Sequence, residues 1–488
     1  MDRLLKLLLD FPSAEALLLL GPILAVPLGL RLAAPTRPLR GRWRFAARVQ
    51  PIAALALVAS FALPRGELAA ALAAPWLAFT ALLALLGVLR FVERGPAPIE
   101  ELAIDAALCF PVIGATWLLF SRLGLSFMGF GEPILLLTAA HFHFAGFALP
   151  LLTALAGRVL PGWHARIAAI GVILGVPFVA VGITLAAKGY NDVELVAATW
   201  LSLAALASAI LQIRVGIAAA RKRARIALTA SAGCLVGGMA LAALYGARVY
   251  FPIAWLSVTT MVTLHATANV LGYALLGLIT WRVWMPATAT TRRGFDVLVT
   301  WMGDEADLAS WESRPIASAS EAEPAPSDSQ DTYEDTLGPE PPGAPVPKGP
   351  YEHAAAIIQR YDVFPPALVD RVLRRTSVEV GDTLGISYAL FAGVRVFFAS
   401  RVTQRFDERT EDGTRSGFTY RTVEGHPFAG EETFTVEKVS ATGEVRISIR
   451  CWSRPLAFVA HATRPLMRRL MSQGGRAGIA WLKQGSQW

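Results

Sequence analysis

The stretch PILLLTAAHFHFAGFALPLLTALA, residues 133–156, decides the architecture of this chain. It contains no Asp, Glu, Lys or Arg, and about 20 consecutive apolar residues are enough to cross the hydrocarbon core of a bilayer. Two histidines, His141 and His143, lie inside this run. Because ionisable groups are costly at that depth, they predict a pathway, a ligand site or a buried polar contact.

Eight further apolar runs of similar length surround this one. The first 300 residues hold 24 Lys and Arg and 12 Asp and Glu, mostly confined to the gaps between the runs. The sequence therefore predicts a polytopic all-α membrane domain, residues 1–303, whose partner is the lipid bilayer. We expect about nine transmembrane helices, near 14–33, 46–63, 68–92, 102–120, 133–156, 166–187, 195–217, 226–247 and 253–284.

Lys and Arg are divided unequally between the two sides of these spans. The gaps after odd-numbered spans hold 18 of them, whereas the N-terminal segment and the gaps after even-numbered spans hold 6. Positively charged loops stay in the cytoplasm. We therefore predict an inner (plasma) membrane protein with its N-terminus outside and its C-terminal region cytoplasmic. The same clusters explain the net charge of +8, so no nucleic-acid partner is expected.

The composition changes after residue 303. Residues 304–350 contain 11 acidic residues and 9 prolines, which predicts a disordered acidic, Pro-rich linker. Residues 351–488 then alternate apolar and polar positions, which predicts a small cytoplasmic α+β domain. We expect a short helix at Pro366–Thr376, strands near 384–391, 394–407, 415–423, 430–440 and 444–453, and a long final helix from about Leu456 to Lys483.

Polar residues of the fifth and ninth spans are predicted to lie at a common depth. At 1.5 Å per residue, His141 lies about 12 Å and His265 about 17 Å below the outer ends of their spans. Asn269 follows His265 by one turn on the same face, whereas His143 points about 160° away from His141. The predicted membrane site comprises His141, His143, His265 and Asn269, and only one of the first two is expected to join His265 directly.

Three interpretations of this membrane site stay open. Imidazole titrates near neutrality, which suits a substrate or proton pathway. Neutral imidazole is also a common metal ligand, so His141 and His265 are candidates for holding a metal ion or haem. Alternatively, the histidines only form hydrogen bonds between helices. The sequence contains no HExxH, CxxCH or phosphate-binding loop, so the cofactor stays unassigned.

The segments HFHFAGF, residues 141–147, and LHATANVLGY, residues 264–273, resemble the YndJ-like family of bacterial membrane proteins. The resemblance covers roughly residues 45–290. Members of that family are often labelled transporters, so the resemblance implies transport as an expectation. The matching positions are His141, His143, Gly146, His265, Asn269 and Gly272.

A second resemblance covers about residues 360–485. GFTYRTVEGHPFAGEETFTVEK, residues 417–438, and VRISIRCWSRP, residues 445–455, resemble the domain of unknown function nineteen-ninety. A sheet that grips a long terminal helix is similar to lipid-binding helix-grip domains, which suggests an apolar ligand by analogy of fold. The matching positions are Gly417, Tyr420, Gly425, His426, Pro427, Gly430, Glu431, Glu432, Phe434, Ser453, Arg454 and Pro455.

The predicted site of the C-terminal domain comprises His426, Glu431, Glu432 and Arg454. A histidine beside two carboxylates suits general acid–base chemistry or a proton-sensitive latch. In the alternative interpretation, which we favour here, His426 caps a turn and one glutamate pairs with Arg421 or Arg450.

Three functions follow from these observations. The first is a membrane protein that transports or binds a small lipophilic molecule, with a cytoplasmic ligand-binding or regulatory domain. The second is an integral membrane enzyme that uses the intramembrane histidines to hold haem or a metal ion. The third is a membrane-anchored lipid-binding protein, although nine spans are more than an anchor needs.

Overall fold

The structure is a computed structural model that describes residues 12–33, 41–285, 298–301, 308–391 and 394–487. The chain divides near residue 292 into an N-terminal and a C-terminal compact unit. The N-terminal unit is helical, and the C-terminal unit is built on one antiparallel sheet. A helical membrane domain followed by an α+β domain is thereby confirmed.

Within the described residues, nine helices are long and apolar enough to cross a membrane, which confirms the predicted number of spans. Several contain proline in their interior, which neighbouring helices tolerate in a membrane. Numbered α1 to α9, they are Ala14–Ala33, Trp43–Ala62, Glu67–Val92, Ile99–Leu123, Ile134–Val159, Trp163–Ala186, Asn191–Ala218, Lys222–Gly246 and Val258–Val283.

Helix α5 lies in the interior of this unit. Most of its apolar side chains are buried, and α4 approaches it closely at Gly114. A Cβ atom at Gly114 would lie 2.9 Å from both the carbonyl oxygen of Ala139 and Nδ1 of His143. Any side chain there would separate the two helices, so this glycine lets the polar residues of α5 face protein instead of lipid.

Three spans contain π-helical segments. They are Gly21–Ala25 in α1, Phe144–Ala148 in α5, and Met261–Ala266 with Ala268–Leu275 in α9. Wider π-turns inside α-helices occur frequently at functional sites. The segment in α5 begins directly after His143, and those in α9 contain His265 and Asn269. His265 and Asn269 therefore lie in π-helical turns, whereas His141 and His143 lie in the regular turns just before one.

The C-terminal unit contains an eight-stranded antiparallel sheet with the order β2-β8-β7-β6-β5-β4-β3, and β1 pairs with β5. Large aromatic and aliphatic residues at alternate positions of β6, β7 and β8 form its core. The strands β1 to β8 are Leu298–Trp301, Ser329–Thr336, Val369–Val372, Thr383–Phe391, Val394–Arg409, Gly413–Thr422, Phe428–Val439 and Val445–Pro455.

The helices of this unit differ in part from the prediction. They are α10 to α14, at Ala309–Glu312, Ser318–Glu321, Pro350–Gln359, Phe458–Ala462 and Arg464–Gly485. The helix predicted at Pro366–Thr376 is wrong, because β3 forms there and pairs with β4. The final helix is interrupted at Thr463, and Pro465 lies in the first turn of α14, where its missing N–H group costs no hydrogen bond.

The expected linker also differs from the structure over residues 308–350. Part of this segment forms β2, which pairs with β8 along its whole length. A prediction of disorder from composition considers only the residues of the segment itself. In the folded chain, basic residues of distant elements neutralise the carboxylates of this segment. The ion pairs are Asp328–Arg454, Asp331–Arg468, Glu334–Arg450, Asp335–Lys483 and the fully buried Glu340–Lys438.

Candidate functional site

The N-terminal unit contains a partly open cavity of about 630 Å³ that is lined by residues of α4 to α9. Its walls are mainly apolar, and its polar lining includes His141, His265 and Asn269. This volume lies within the range of about 300–1,000 Å³ that is usual for small-molecule sites. Three of the four residues predicted for the membrane site thus meet at one cavity, and His143 is absent from its lining.

Backbone carbonyl groups orient the two histidines of this cavity. His141 Nε2 lies 3.0 Å from the carbonyl oxygen of Val176, and His265 Nδ1 lies 2.7 Å from that of Gly238. A carbonyl oxygen only accepts hydrogen bonds, so both of these ring nitrogens donate. In a neutral imidazole the second nitrogen then keeps its lone pair. His141 Nδ1 and His265 Nε2 are therefore acceptors without a hydrogen-bond partner among the described residues.

The amide group of Asn269 adds a further polar atom to this wall. Its Nδ2 donates to the backbone oxygen of His265 over 2.9 Å, which anchors the side chain one turn below that histidine. Its Oδ1 forms no hydrogen bond within the described parts of the chain. The wall thus presents hydrogen-bond acceptors, and a ligand with a hydroxyl or amine donor would complement them.

His143 belongs to a different environment. Its Nδ1 donates to the carbonyl oxygen of Ala139 over 2.8 Å, and its Nε2 accepts a 2.9 Å hydrogen bond from Nε1 of Trp76. Both ring nitrogens are satisfied, and the side chain is fully buried. For this residue, the structure agrees with the interpretation as a hydrogen bond between helices.

We expect His143→Leu to lower the stability of the membrane domain by about 1–3 kcal/mol, because it leaves the Trp76 N–H group buried without an acceptor. Leucine retains most of the volume, so the loss reports the hydrogen bond. Thermal unfolding in detergent measures it, and the double variant with Trp76→Phe should recover part of the loss. Equal melting temperatures of wild type and His143→Leu would contradict this role.

An ion pair lies at one end of the cavity. Arg248 Nη1 donates to Glu194 Oε1 over 2.8 Å, and the guanidinium group stacks on the ring of Tyr245 at 4.1 Å. All three side chains line the cavity. No local pattern indicates this contact, because Glu194 and Arg248 are 54 residues apart and each resembles an ordinary interfacial residue.

The C-terminal unit contains a second cavity of about 190 Å³ between the sheet and α14. His426, Glu431 and Glu432 lie along it, whereas Arg454 does not. Arg454 instead pairs with Asp328 at 2.7 Å. Glu431 forms a 2.6 Å ion pair with Arg421 across β6 and β7. The four predicted residues are therefore divided, and the alternative interpretation of Glu431 agrees with the structure.

His426 caps its turn. Its Nδ1 lies 3.0 Å from the amide nitrogen and 2.8 Å from the carbonyl oxygen of Phe428, and its ring packs edge-on against Phe398. Burial lowers the pKa of His426 to about 4. The imidazole is therefore neutral at physiological pH and supplies no positive charge to the cavity.

Glu432 is the ionisable residue at the centre of this cavity. Its Oε2 accepts a hydrogen bond from the hydroxyl group of Tyr420. The side chain is partly buried and lines the cavity, whose walls are mainly apolar and aromatic. Burial raises the pKa of Glu432 to about 7, and the hydrogen bond from Tyr420 opposes this rise. The carboxyl group therefore titrates near neutral pH.

Tyr361 completes the polar end of this cavity, and sequence reasoning missed it. The ring is 97% buried (3% exposed) and packs edge-on against Phe418, Tyr420 and Phe434. Burial and then the charge of Glu432 raise its pKa. Its hydroxyl group has no hydrogen-bond partner in the described part of the protein. Tyr361 lies far from the matching motif in sequence, so no local pattern could have indicated it.

Comparisons with known proteins match the N-terminal and the C-terminal region of the chain separately. The uncharacterized membrane protein YndJ of Bacillus subtilis (strain 168) is 28% identical over 284 residues, which are 56% of this chain and 49% of that protein. A UPF0548 protein of Dictyostelium discoideum is 26% identical over 125 residues, 24% of this chain and 57% of that protein. The chain spans about half the length of the curated relatives it matches.

Among solved structures, the crystal structure of Ara h 8.0201 matches 33% of this chain and 97% of its own, with 14% sequence identity and a TM-score of 0.21. The family model of the domain of unknown function (DUF1990) matches residues 317–478. It begins well before the expected residue 360 and includes β2. The YndJ-like protein model matches residues 16–273, more than half of the chain. The chain therefore belongs to the YndJ-like family of membrane proteins and carries a C-terminal domain of unknown function.

Proposed function

We propose that the membrane domain binds a small lipophilic molecule that carries a hydrogen-bond donor, and that it moves this molecule between the bilayer and its cavity. One observation carries the proposal: an apolar cavity of about 630 Å³ presents two histidines that carbonyl groups hold with their acceptor nitrogens free. In an apolar pocket, a few polar groups fix the orientation of a small ligand.

Exposed residues beside the cavity supply a route for a lipophilic molecule. Val181 and Ile183 of α6 and Val258 of α9 line the cavity, yet they are 50%, 39% and 45% exposed. In a bilayer, these exposed apolar surfaces face lipid chains. A molecule dissolved in the hydrocarbon could therefore enter between α6 and α9 without crossing water.

The proposal includes an orientation and a role for the second domain. The excess of Lys and Arg after odd-numbered spans supports a cytoplasmic C-terminal domain. Its own cavity supports a role in binding a ligand, through which it would regulate the membrane domain. Cysteines introduced into the loops and labelled from one side of intact vesicles would test the orientation.

We expect Ala180→Phe, which fills the membrane cavity, to reduce the amount of co-purified lipophilic molecule at least tenfold. Ala180 lines the cavity, whereas Ile170 of the same helix is exposed and lies outside its lining. Ile170→Phe is thus a matched control and should retain the molecule. Mass spectrometry of organic extracts of the purified full-length proteins measures the bound amount. Equal amounts in all three folded proteins would contradict the proposal.

A second candidate function is an integral membrane enzyme that holds haem or a metal ion. It is favoured by the same carbonyl contacts, because metal-binding histidines commonly donate their other N–H group to a backbone oxygen. His141 and His265 would supply the ligands. An absorption spectrum and elemental analysis of purified protein, beside His141→Ala, test it: a haem band or metal lost in the variant supports this candidate.

A further inference from the structure

We infer that the cavity of the C-terminal domain binds an organic cation, namely a protonated amine with a compact apolar body. The inference rests on the proposed ligand-binding role of this domain and names the chemical class of the ligand. It is carried by three features of the cavity: an uncompensated carboxylate, an unpartnered hydroxyl group and a wall of aromatic rings.

The carboxylate of Glu432 has no cationic partner in the parts of the chain that the structure describes. Its neighbour Glu431 is paired with Arg421, and the cavity lining contains no Lys or Arg among the described residues. Arg468, whose charge acts on the lining residues Tyr333 and Cys451, is paired with Asp331 at 3.2 Å. A carboxylate that is buried without a cation is costly, so a cationic ligand would supply the missing charge.

Glu431 also lines the cavity, but Arg421 neutralises its charge. The remaining titratable groups around Glu432 are uncharged. His426 carries no charge at physiological pH, and Cys451, which faces Glu432 across β7 and β8, has its pKa raised by burial and by Glu432. The pKa values of Tyr361 and Tyr420 are also raised, mainly by burial. Among the described lining residues, the uncompensated charge is therefore that of Glu432, present when it is ionised and absent when it is protonated.

The hydroxyl group of Tyr361 supports a ligand with several donors. Tyr361 lines the cavity, and its buried hydroxyl group lies beside that of Tyr420 but forms no hydrogen bond of good geometry with any described residue. A phenol oxygen can accept as well as donate. An ammonium group has three donors, so one N–H group can reach Glu432 and another can reach Tyr361. A carboxylate ligand would instead be repelled by Glu432.

Aromatic rings form much of the remaining wall. Tyr333, Tyr361, Tyr388, Tyr420 and Trp452 all line the cavity. The faces of such rings attract cations within about 6 Å of the ring centre. The volume of about 190 Å³ is smaller than that of a drug-sized site, so the body of the amine is compact.

Three probes of nearly equal shape test the inference on the full-length protein in detergent: cyclohexylmethylamine, cyclohexylmethanol and cyclohexanecarboxylate. An alkylamine keeps its proton up to a pH of about 10, so only its charge differs from that of the alcohol. At pH 8, calorimetric titration should show the amine binding at least tenfold more tightly than the alcohol, and no binding of the carboxylate. The amine's affinity should fall about tenfold from pH 8 to pH 6, as Glu432 becomes protonated.

Glu432→Gln removes the charge and keeps the shape, so it should abolish the preference for the amine. Glu437→Gln makes the same change at another position of β7, outside the cavity lining, and should bind as wild type does. Tyr361→Phe should weaken the amine severalfold. If folded wild type binds the alcohol as tightly as the amine, the inferred preference for a cation is wrong, although the domain still binds a ligand. A folded wild type that binds none of the three probes overturns both.

Discussion

Lys438→Met is expected to destabilise the C-terminal domain by about 3–5 kcal/mol, because it leaves a buried carboxylate without its cation. Lys438 Nζ donates to Glu340 over 2.9 Å and to the carbonyl oxygen of Ala344 over 2.8 Å. The two charged side chains are 1% and 0% exposed. The backbone amides of Val346 and Tyr351 also donate to Glu340. The Glu340–Lys438 ion pair therefore holds residues 340–351 against β7.

Hydrogen exchange of the β7 and β8 amides in the full-length protein measures the opening free energy of this domain. Lys483→Met is the matched control: Lys483 pairs with Asp335 at 2.8 Å, but both side chains are 36% exposed, so the expected cost is below about 1 kcal/mol. Adding Glu340→Gln to Lys438→Met should recover about half of the loss. Equal losses from the two lysine variants would show that burial of the pair is not what stabilises the domain.

Glu432→Gln is expected to stabilise the same domain at pH 8 by roughly 2–3 kcal/mol and to change its stability little below pH 4.5. Burial raises the pKa of Glu432 from its ordinary value of 4.5 to about 7 in the folded protein. A raised carboxyl pKa contributes stability that is fully present below the unfolded pKa and is lost as the pH rises through the folded one. The wild type therefore loses stability between about pH 4.5 and pH 8, and the glutamine variant does not.

Amide exchange at a series of pH values, corrected for the intrinsic rate, measures this difference. All other titrating groups are shared by the two proteins, so their contributions cancel in the comparison. Two parallel stability curves would contradict the account, because Glu432 would then have the same pKa in the folded and unfolded chains.

The membrane architecture could be predicted because its signals are local. Each span is a continuous apolar run, and a depth along a helix follows from the residue count, so His141 and His265 were expected at a similar depth, with Asn269 one turn below His265. The structure brings these three side chains to one cavity. The opposite directions of His141 and His143 also follow from helical geometry. What the sequence could not supply was the partner of His143, since Trp76 lies on a helix that is distant in sequence.

The second domain shows where local reasoning ends. Strands β4 to β8 have clear alternation, and the structure agrees with them closely. The acidic strand β2 has none, because its stability comes from Arg and Lys residues of β8 and α14. Tyr361 and Tyr420 line the cavity from different elements. Their proximity to Glu432, whose pKa is raised, depends on the folded sheet and follows from no local pattern.

If the membrane cavity holds a ligand at His141 and His265, a density map of the full-length protein in lipid nanodiscs should show continuous density inside the cavity. We expect this density within hydrogen-bond distance of His141 Nδ1, His265 Nε2 or Asn269, and we expect it to be lost in the Ala180→Phe variant. A cavity that is closed by its own side chains, or that holds only water in contact with both histidines, would contradict ligand binding at this site.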